Sequence, residues 1–195
     1  MGEAMTGADG LELGRASFER RAWRAAYDQL SAADRVSPLA PGDLELLVTA
    51  AYLVGRDEDA AEFAARAYRE LLDSGDWASA ARCAFWLAFH LLLRGEAARG
   101  GGWLARGTRL LDEPGSDCAE VGLLLVPVGL RSLRTGDPAS ALETFGQVEE
   151  IGERLGDPDV LAFGRLGRGA GADRTRGGSA GGLSARRGDG RGHRR

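Results

Sequence analysis

At 195 residues, with 44% apolar and 28% charged residues, the chain is long enough for one ordinary domain with a real core. Its formal charge of −4 is unevenly spread: from Arg168 to Arg195 there are eight arginines against Asp173 and Asp189. The body upstream is therefore acidic, which excludes a broad nucleic-acid footprint there. No apolar run reaches membrane-spanning length, and no signal-peptide order opens the chain, so the protein reads as cytoplasmic.

Residues 1–9 are polar and Gly-containing, which predicts a flexible N-terminus. A first helix pair is predicted from about Leu11 to Asp34, with Trp23, Ala26, Tyr27 and Leu30 on the second helix. Ser37-Pro38-Leu39-Ala40-Pro41-Gly42 then breaks the pattern. In the second pair Asp43 is expected to cap Leu44 to Val54, and Gly55 to stop it. Asp57-Glu58-Asp59 starts the next helix, where first-turn carboxylates complement the N-terminal partial positive charge.

The central pair spans Gly75 to Glu113. Its first helix, about Asp76 to Arg94, is apolar almost all round, so it must be covered on more than one side. Its second helix carries one stripe, Trp103, Leu104, Leu110 and Leu111, and Gly100-Gly101-Gly102 predicts a late start. In the fourth pair Asp117 with Glu120 resembles a capping box, and Val121 to Leu133 is again apolar nearly all round. Gly136-Asp137-Pro138 and Gly156-Asp157-Pro158 each read as stop, cap and first helical position; the latter opens an incomplete fifth pair. The turn glycines Gly55, Gly95 and Gly136 are spaced by 40 and 41 residues, a two-helix repeat period. Ala26, Ala61, Ala98 and Ala141 are the small residues expected where second helices approach first ones. No period-two alternation marks a strand.

These pairs resemble tetratricopeptide-type repeats. The strings CAFWLAFHLLLRGE, GWLARGTRLL, DCAEVGLLLVP and DPDVLAFGRLGRG resemble the repeat region of bacterial regulators that end in a LuxR-type helix-turn-helix. The resemblance runs from about Leu11 to Gly169. It implies an all-α, right-handed helical-hairpin solenoid that senses, oligomerises or controls its own DNA-binding domain, and no such domain is read within residues 1–195. A free-standing repeat adaptor is the alternative; an enzyme using the groove and a nucleic-acid binder acting through the basic tail are weaker ones.

No residue set points to catalysis, a metal or a cofactor. His90 is the only histidine upstream of the basic tail, without a partner at metal spacing. Asp57-Glu58-Asp59 and Glu149-Glu150 read as a helix start and a solvated face rather than acid–base pairs. Arg99-Gly100-Gly101-Gly102 lacks the strand a phosphate cradle needs. Cys83 and Cys118 make no CxxC pair and read as small reduced hydrophobes. The residues named for a groove or interaction role are Trp86, Phe89, His90 and Trp103, with a protein, the regulator's own C-terminal domain or a second copy as partner, and with neither membrane nor DNA bound by residues 1–168. Core packing is the blander role for Trp86 and Phe89.

The expected domains are the flexible residues 1–9, a repeat domain over 10–168 and a disordered Gly/Arg-rich tail over 169–195. After Gly169 only Leu183 is large and apolar, the vocabulary of GC-rich DNA read out of frame. Read one base further along, the codons of Ala170 to Arg176 permit a helical string, Gln-Ala-Leu-Ile-Glu-Leu-Gly. The tail is accordingly read as out-of-frame sequence.

Overall fold

The computed structural model describes residues 7–111 and 117–185, with side chains as far as Thr175. The described residues are helical throughout apart from their connections, in two compact units, Met1–Glu113 and Pro114–Arg195. The first unit holds α1 (Gly7–Glu19), α2 (Trp23–Val36), α3 (Pro41–Leu53), α4 (Asp57–Asp73), α5 (Trp77–Leu93) and α6 (Ala97–Leu110). They form three antiparallel hairpins, α1/α2, α3/α4 and α5/α6, stacked through α2 on α3 and α4 on α5. The second unit holds α7 (Ala119–Thr135), α8 (Pro138–Leu155) and α9 (Pro158–Ala185), with α9 packed on both α7 and α8. This is the all-α helical-hairpin solenoid architecture.

One corner design recurs. Gly55, Gly75, Gly95, Gly136 and Gly156 have φ between 68° and 82°, the left-handed region that ends a helix without a Cβ penalty. At each corner the residue after the glycine donates its N–H to the carbonyl five residues upstream of itself, as in Arg56 to Ala51 at 2.8 Å and Glu96 to Leu91 at 2.9 Å. That residue also sits at the N-cap of the next helix. Three corners place aspartate there, and Asp76, Asp137 and Asp157 accept from the N–H groups of Ser79, Ser140 and Val160. The α1–α2 corner has the same bond, Ala22 to Ser17 at 2.9 Å, but Arg21 occupies the left-handed position at φ 58°.

Two expected caps are replaced. Ala40 occupies the N-cap of α3 and Pro41 its first position. Asp43 instead turns to α1, where it accepts from Arg15 Nε at 2.7 Å and Nη2 at 2.8 Å. Cys118, not Asp117, sits at the N-cap of α7; Asp117 pairs with Arg154 and Glu120 is buried. Both aspartates find an arginine on a distant helix, a partner that local spacing does not reveal.

The close approaches fall at the fourth residue of each second helix: Ala26, Ala60, Gly100 and Ala141. All four are buried, whereas the expected Ala61 is partly exposed and Ala98 exposed. Nor does α6 start late. It runs through all three glycines because Gly100 is needed there: a Cβ would sit 2.7 Å from Leu92 Cγ and 3.0 Å from the Ala88 carbonyl. In the second unit Gly129 and Gly167 likewise make room for the buried ring of Phe145. Burial of Phe85 and Phe145 contributes roughly 1.5–3 kcal/mol each.

The ends also differ from expectation. Residues 7–9 already belong to α1, with Asp9 in its first turn, while 1–6 lie outside the described residues. At the other end α9 continues past Gly169 to Ala185, and 186–195 lie outside the described residues. Val160, Gly164, Gly167 and Gly171 form one buried stripe, whose last two glycines lie against Phe145 and Leu142, so docking on α8 outlasts the loss of large side chains. Among the described residues no helix is long and apolar enough to cross a membrane.

Candidate interaction surface

Helix α5 is covered along two flanks. Ala80 and Ala84 pack with Tyr68 and Leu71 of α4, and Leu87 and Leu91 with Ala64. Ala81, Phe85 and Ala88 are fully buried beside them. The third flank is open: Trp86, Phe89 and His90 are half-buried and Leu93 is 65% exposed. These positions, i, i+3, i+4 and i+7, form one helical stripe.

The stripe continues onto α3. The His90 ring stacks on Tyr52, centroids 3.8 Å apart and planes within 10°. Trp86 stands 6.1 Å from both His90 and Phe89, edge-on to the latter, and 5.3 Å from Phe85. Leu53 beside Tyr52 is 49% exposed. The result is an aromatic surface crossing from one hairpin to the next, with aliphatic side chains at its margin.

Charge borders this surface at one end. Arg94 closes α5 and lies 3.6 Å from Asp57, 3.4 Å from Glu58 and 3.4 Å from Glu96. The acidic first turn of α4 is thus partly offset by one guanidinium of the neighbouring hairpin. Burial pushes the pKa of His90 below its usual value, opposed by the nearby Asp57 carboxylate, and so favours the neutral ring. A neutral imidazole stacks on a phenol ring without a charge to desolvate.

Of the four residues named from sequence, Trp86, Phe89 and His90 come together and Trp103 stands apart. Trp103 lies on α6, meets Tyr68 edge-on at 5.1 Å and carries Arg106 over its ring at 4.7 Å. It packs on the α4–α5 core, a structural role. Tyr52 is the member that sequence reasoning missed; a tyrosine between Ala51 and Leu53 carries no signal until the fold brings α3 and α5 to one face.

Several other polar groups are engaged structurally. Asp59 accepts from Tyr27 and Arg56, and Glu149 from Arg168 and Arg165. The Arg168 guanidinium, with Arg165 beside it, holds the Glu149 carboxyl below its usual range. Burial pushes the Cys83 thiol up to about 12, and its S–H donates to the Ala64 carbonyl at 3.2 Å. Both cysteines are free. An open groove of 710 Å³ along α8 is lined by Leu142, Gly146, Glu143, Glu150, Glu153 and Arg168, among others. It presents carboxylates to solvent and encloses no apolar chamber of the kind that holds a small molecule.

Fold and surface together define an all-α helical-hairpin repeat protein with a half-open aromatic face. Its architecture is similar to the crystal structure of BtubC (BKLC) from P. vanneervenii, with a TM-score of 0.60 and 18% sequence identity over 97% of this chain and 85% of that one. No protein-family model matches the chain, and no curated protein matches it.

Proposed function

We propose that this chain is a non-catalytic protein-interaction and sensor region of a bacterial transcriptional regulator of the LuxR type. The repeats are of the tetratricopeptide kind, and DNA reading is left to a separate helix-turn-helix domain. The observation that carries the interaction reading is the aromatic stripe of α5, Trp86, Phe89, His90 and Leu93, left open on a helix otherwise packed on two flanks. The regulator reading rests on the resemblance of the strings around that stripe. The partner is a protein surface, and the regulator's own DNA-binding domain is the first candidate.

The test is direct. The DNA beyond codon 169 is sequenced, and the helix-turn-helix domain it encodes is titrated calorimetrically with this chain. Micromolar or tighter binding, weakened at least about tenfold by Leu93→Glu or Trp86→Ala, is expected, since removing one anchor typically takes about 1.4 kcal/mol or more. Absence of a helix-turn-helix frame, or of binding, overturns the regulator reading and leaves the free-standing adaptor. Sequence-selective DNA binding by this chain alone at physiological salt overturns both.

A further inference from the structure

The open flank of α5 has a counterpart on α3. Glu45, Thr49 and Tyr52 follow one another at steps of four and three, and Glu45 and Thr49 are exposed. Tyr52 meets His90, and seven residues earlier on each helix Glu45 lies in the field of Cys83 and Arg82, so α3 and α5 run side by side in one direction. No Cα of α3 lies within 8 Å of one of α5. The two helices therefore bound a trough, with Glu45, Thr49 and Tyr52 on one wall and Arg82, Trp86 and Phe89 on the other.

Both ends of the trough are acidic. At one end three carboxylates, Asp57, Glu58 and Glu96, share the Arg94 guanidinium. At the other, Glu45 and Asp76 lie about Arg82. Glu45 reaches solvent, yet the protein crowds it enough that lost hydration holds its carboxyl above its ordinary range, against the attraction of Arg82 and with the repulsion of Asp76. An accessible carboxylate short of both water and positive charge gains from a cation that a partner brings.

We propose that this trough receives a cationic–apolar segment of a partner protein, with an arginine or lysine side chain set against Glu45 and apolar side chains over Trp86 and Phe89. The proposal rests on the interaction reading above and names the chemistry of the partner. Charge complementarity selects it. An acidic segment would meet like charge at both ends. A wholly apolar one would cover Glu45 and leave its charge without a partner. Glu45 and Tyr52 are seven residues apart on α3, about 10 Å at 1.5 Å per residue, so the cation and its apolar anchor stand two turns apart on a helical partner.

Calorimetric titration of the full chain with two synthetic helical peptides tests this. Both carry the same leucine stripe; two turns ahead of the central leucine one has arginine and the other glutamate. The arginine peptide should bind at least about tenfold more tightly. Glu45→Gln, at an exposed position, should bring the two affinities together while circular dichroism stays unchanged, and Glu45→Arg should reverse their order. Trp86→Ala should weaken both peptides. Equal affinities for the unaltered chain, or a preference for glutamate, overturn the proposal and leave the interaction surface standing. So does a preference for arginine that survives Glu45→Gln. Binding of neither peptide also overturns it, and the interaction reading falls with it only if the helix-turn-helix domain fails to bind as well. A dimer of the chain that Leu93→Glu abolishes would give the surface to a second copy and overturn the proposal.

Discussion

Gly100 and Gly101 are neighbours in the same helix, and replacing each by alanine should move stability in opposite directions. Alanine gains about 0.8–1 kcal/mol over glycine in a helix interior from propensity alone. At Gly101 a Cβ meets nothing within 4 Å, so Gly101→Ala should realise that gain in full. At Gly100 the same methyl group lands 2.7 Å from Leu92 Cγ and 3.0 Å from the Ala88 carbonyl oxygen. The second contact is backbone and cannot turn aside, so α6 must lift from α5. Overpacking of this kind costs about 1–3 kcal/mol. Set against the propensity gain, Gly100→Ala should be destabilising by about 1 kcal/mol. Urea melts followed by helical circular dichroism separate the two variants by roughly 2 kcal/mol, and thermal melts by about 4–8 °C for a chain of this size. If Gly100→Ala is as stable as Gly101→Ala, α6 does not approach α5 at its fourth residue, and the shared register of Ala26, Ala60, Gly100 and Ala141 falls with it.

Three more outcomes follow from the geometry. Arg21→Gly should stabilise by about 0.5–1 kcal/mol, because Arg21 holds φ 58° at a corner where the other left-handed residues are glycines; an unchanged melting midpoint would refute the strain. His90 is held below its ordinary pKa by burial, so its contribution to stability is complete above about pH 6.5 and is lost as pH falls, when the unfolded chain takes up a proton the folded one refuses; His90→Gln should flatten the stability profile between about pH 7.5 and 5.5, and an identical slope in both proteins would sink the argument. Cys83, raised by burial and bonded to the Ala64 carbonyl, should react with a thiol reagent at least about tenfold more slowly than Cys118, whose burial is less; equal rates would mean α4 and α5 open freely.

Where a residue type admits one conformation, the sequence is readable. Gly-Asp-Pro at 136–138 and at 156–158 can hardly be anything but a left-handed stop, a cap and a helix start, and each is that. Arg21 does the same work as those glycines and gives no sign of it, since arginine carries no signal for positive φ. Long-range partners are equally hidden. Asp43 reads as a cap because nothing local announces Arg15, 28 residues earlier, and Tyr52 draws no notice because nothing local announces His90. The apolar count of α5 correctly demands two covered flanks, yet it does not say that the third, bearing Trp86, stays open. Helix α9 outruns the expected boundary at Gly169 because Gly171 lies against Leu142: docking there asks for smallness on one side and bulk on the other, and only the smallness is local.

Each helix of the first unit touches the helix before it and the helix after it in sequence, and α1 reaches α3 besides. Contacts of that kind are short-range along the chain, so little loop entropy has to be lost before any of them forms, and folding should be fast for the size. It also makes the stack behave like a one-dimensional array, in which an end hairpin opens by releasing one interface and a middle hairpin must release two. In this unit the hairpin α3/α4 is the one flanked on both sides, while the aromatic stripe with its open face belongs largely to α5/α6, at an end. Within its own unit the surface that presents Trp86 and His90 therefore rides on a hairpin held by one interface, where α3/α4 is held by two. Amide exchange would register that as a lower opening free energy in α6 than in α4.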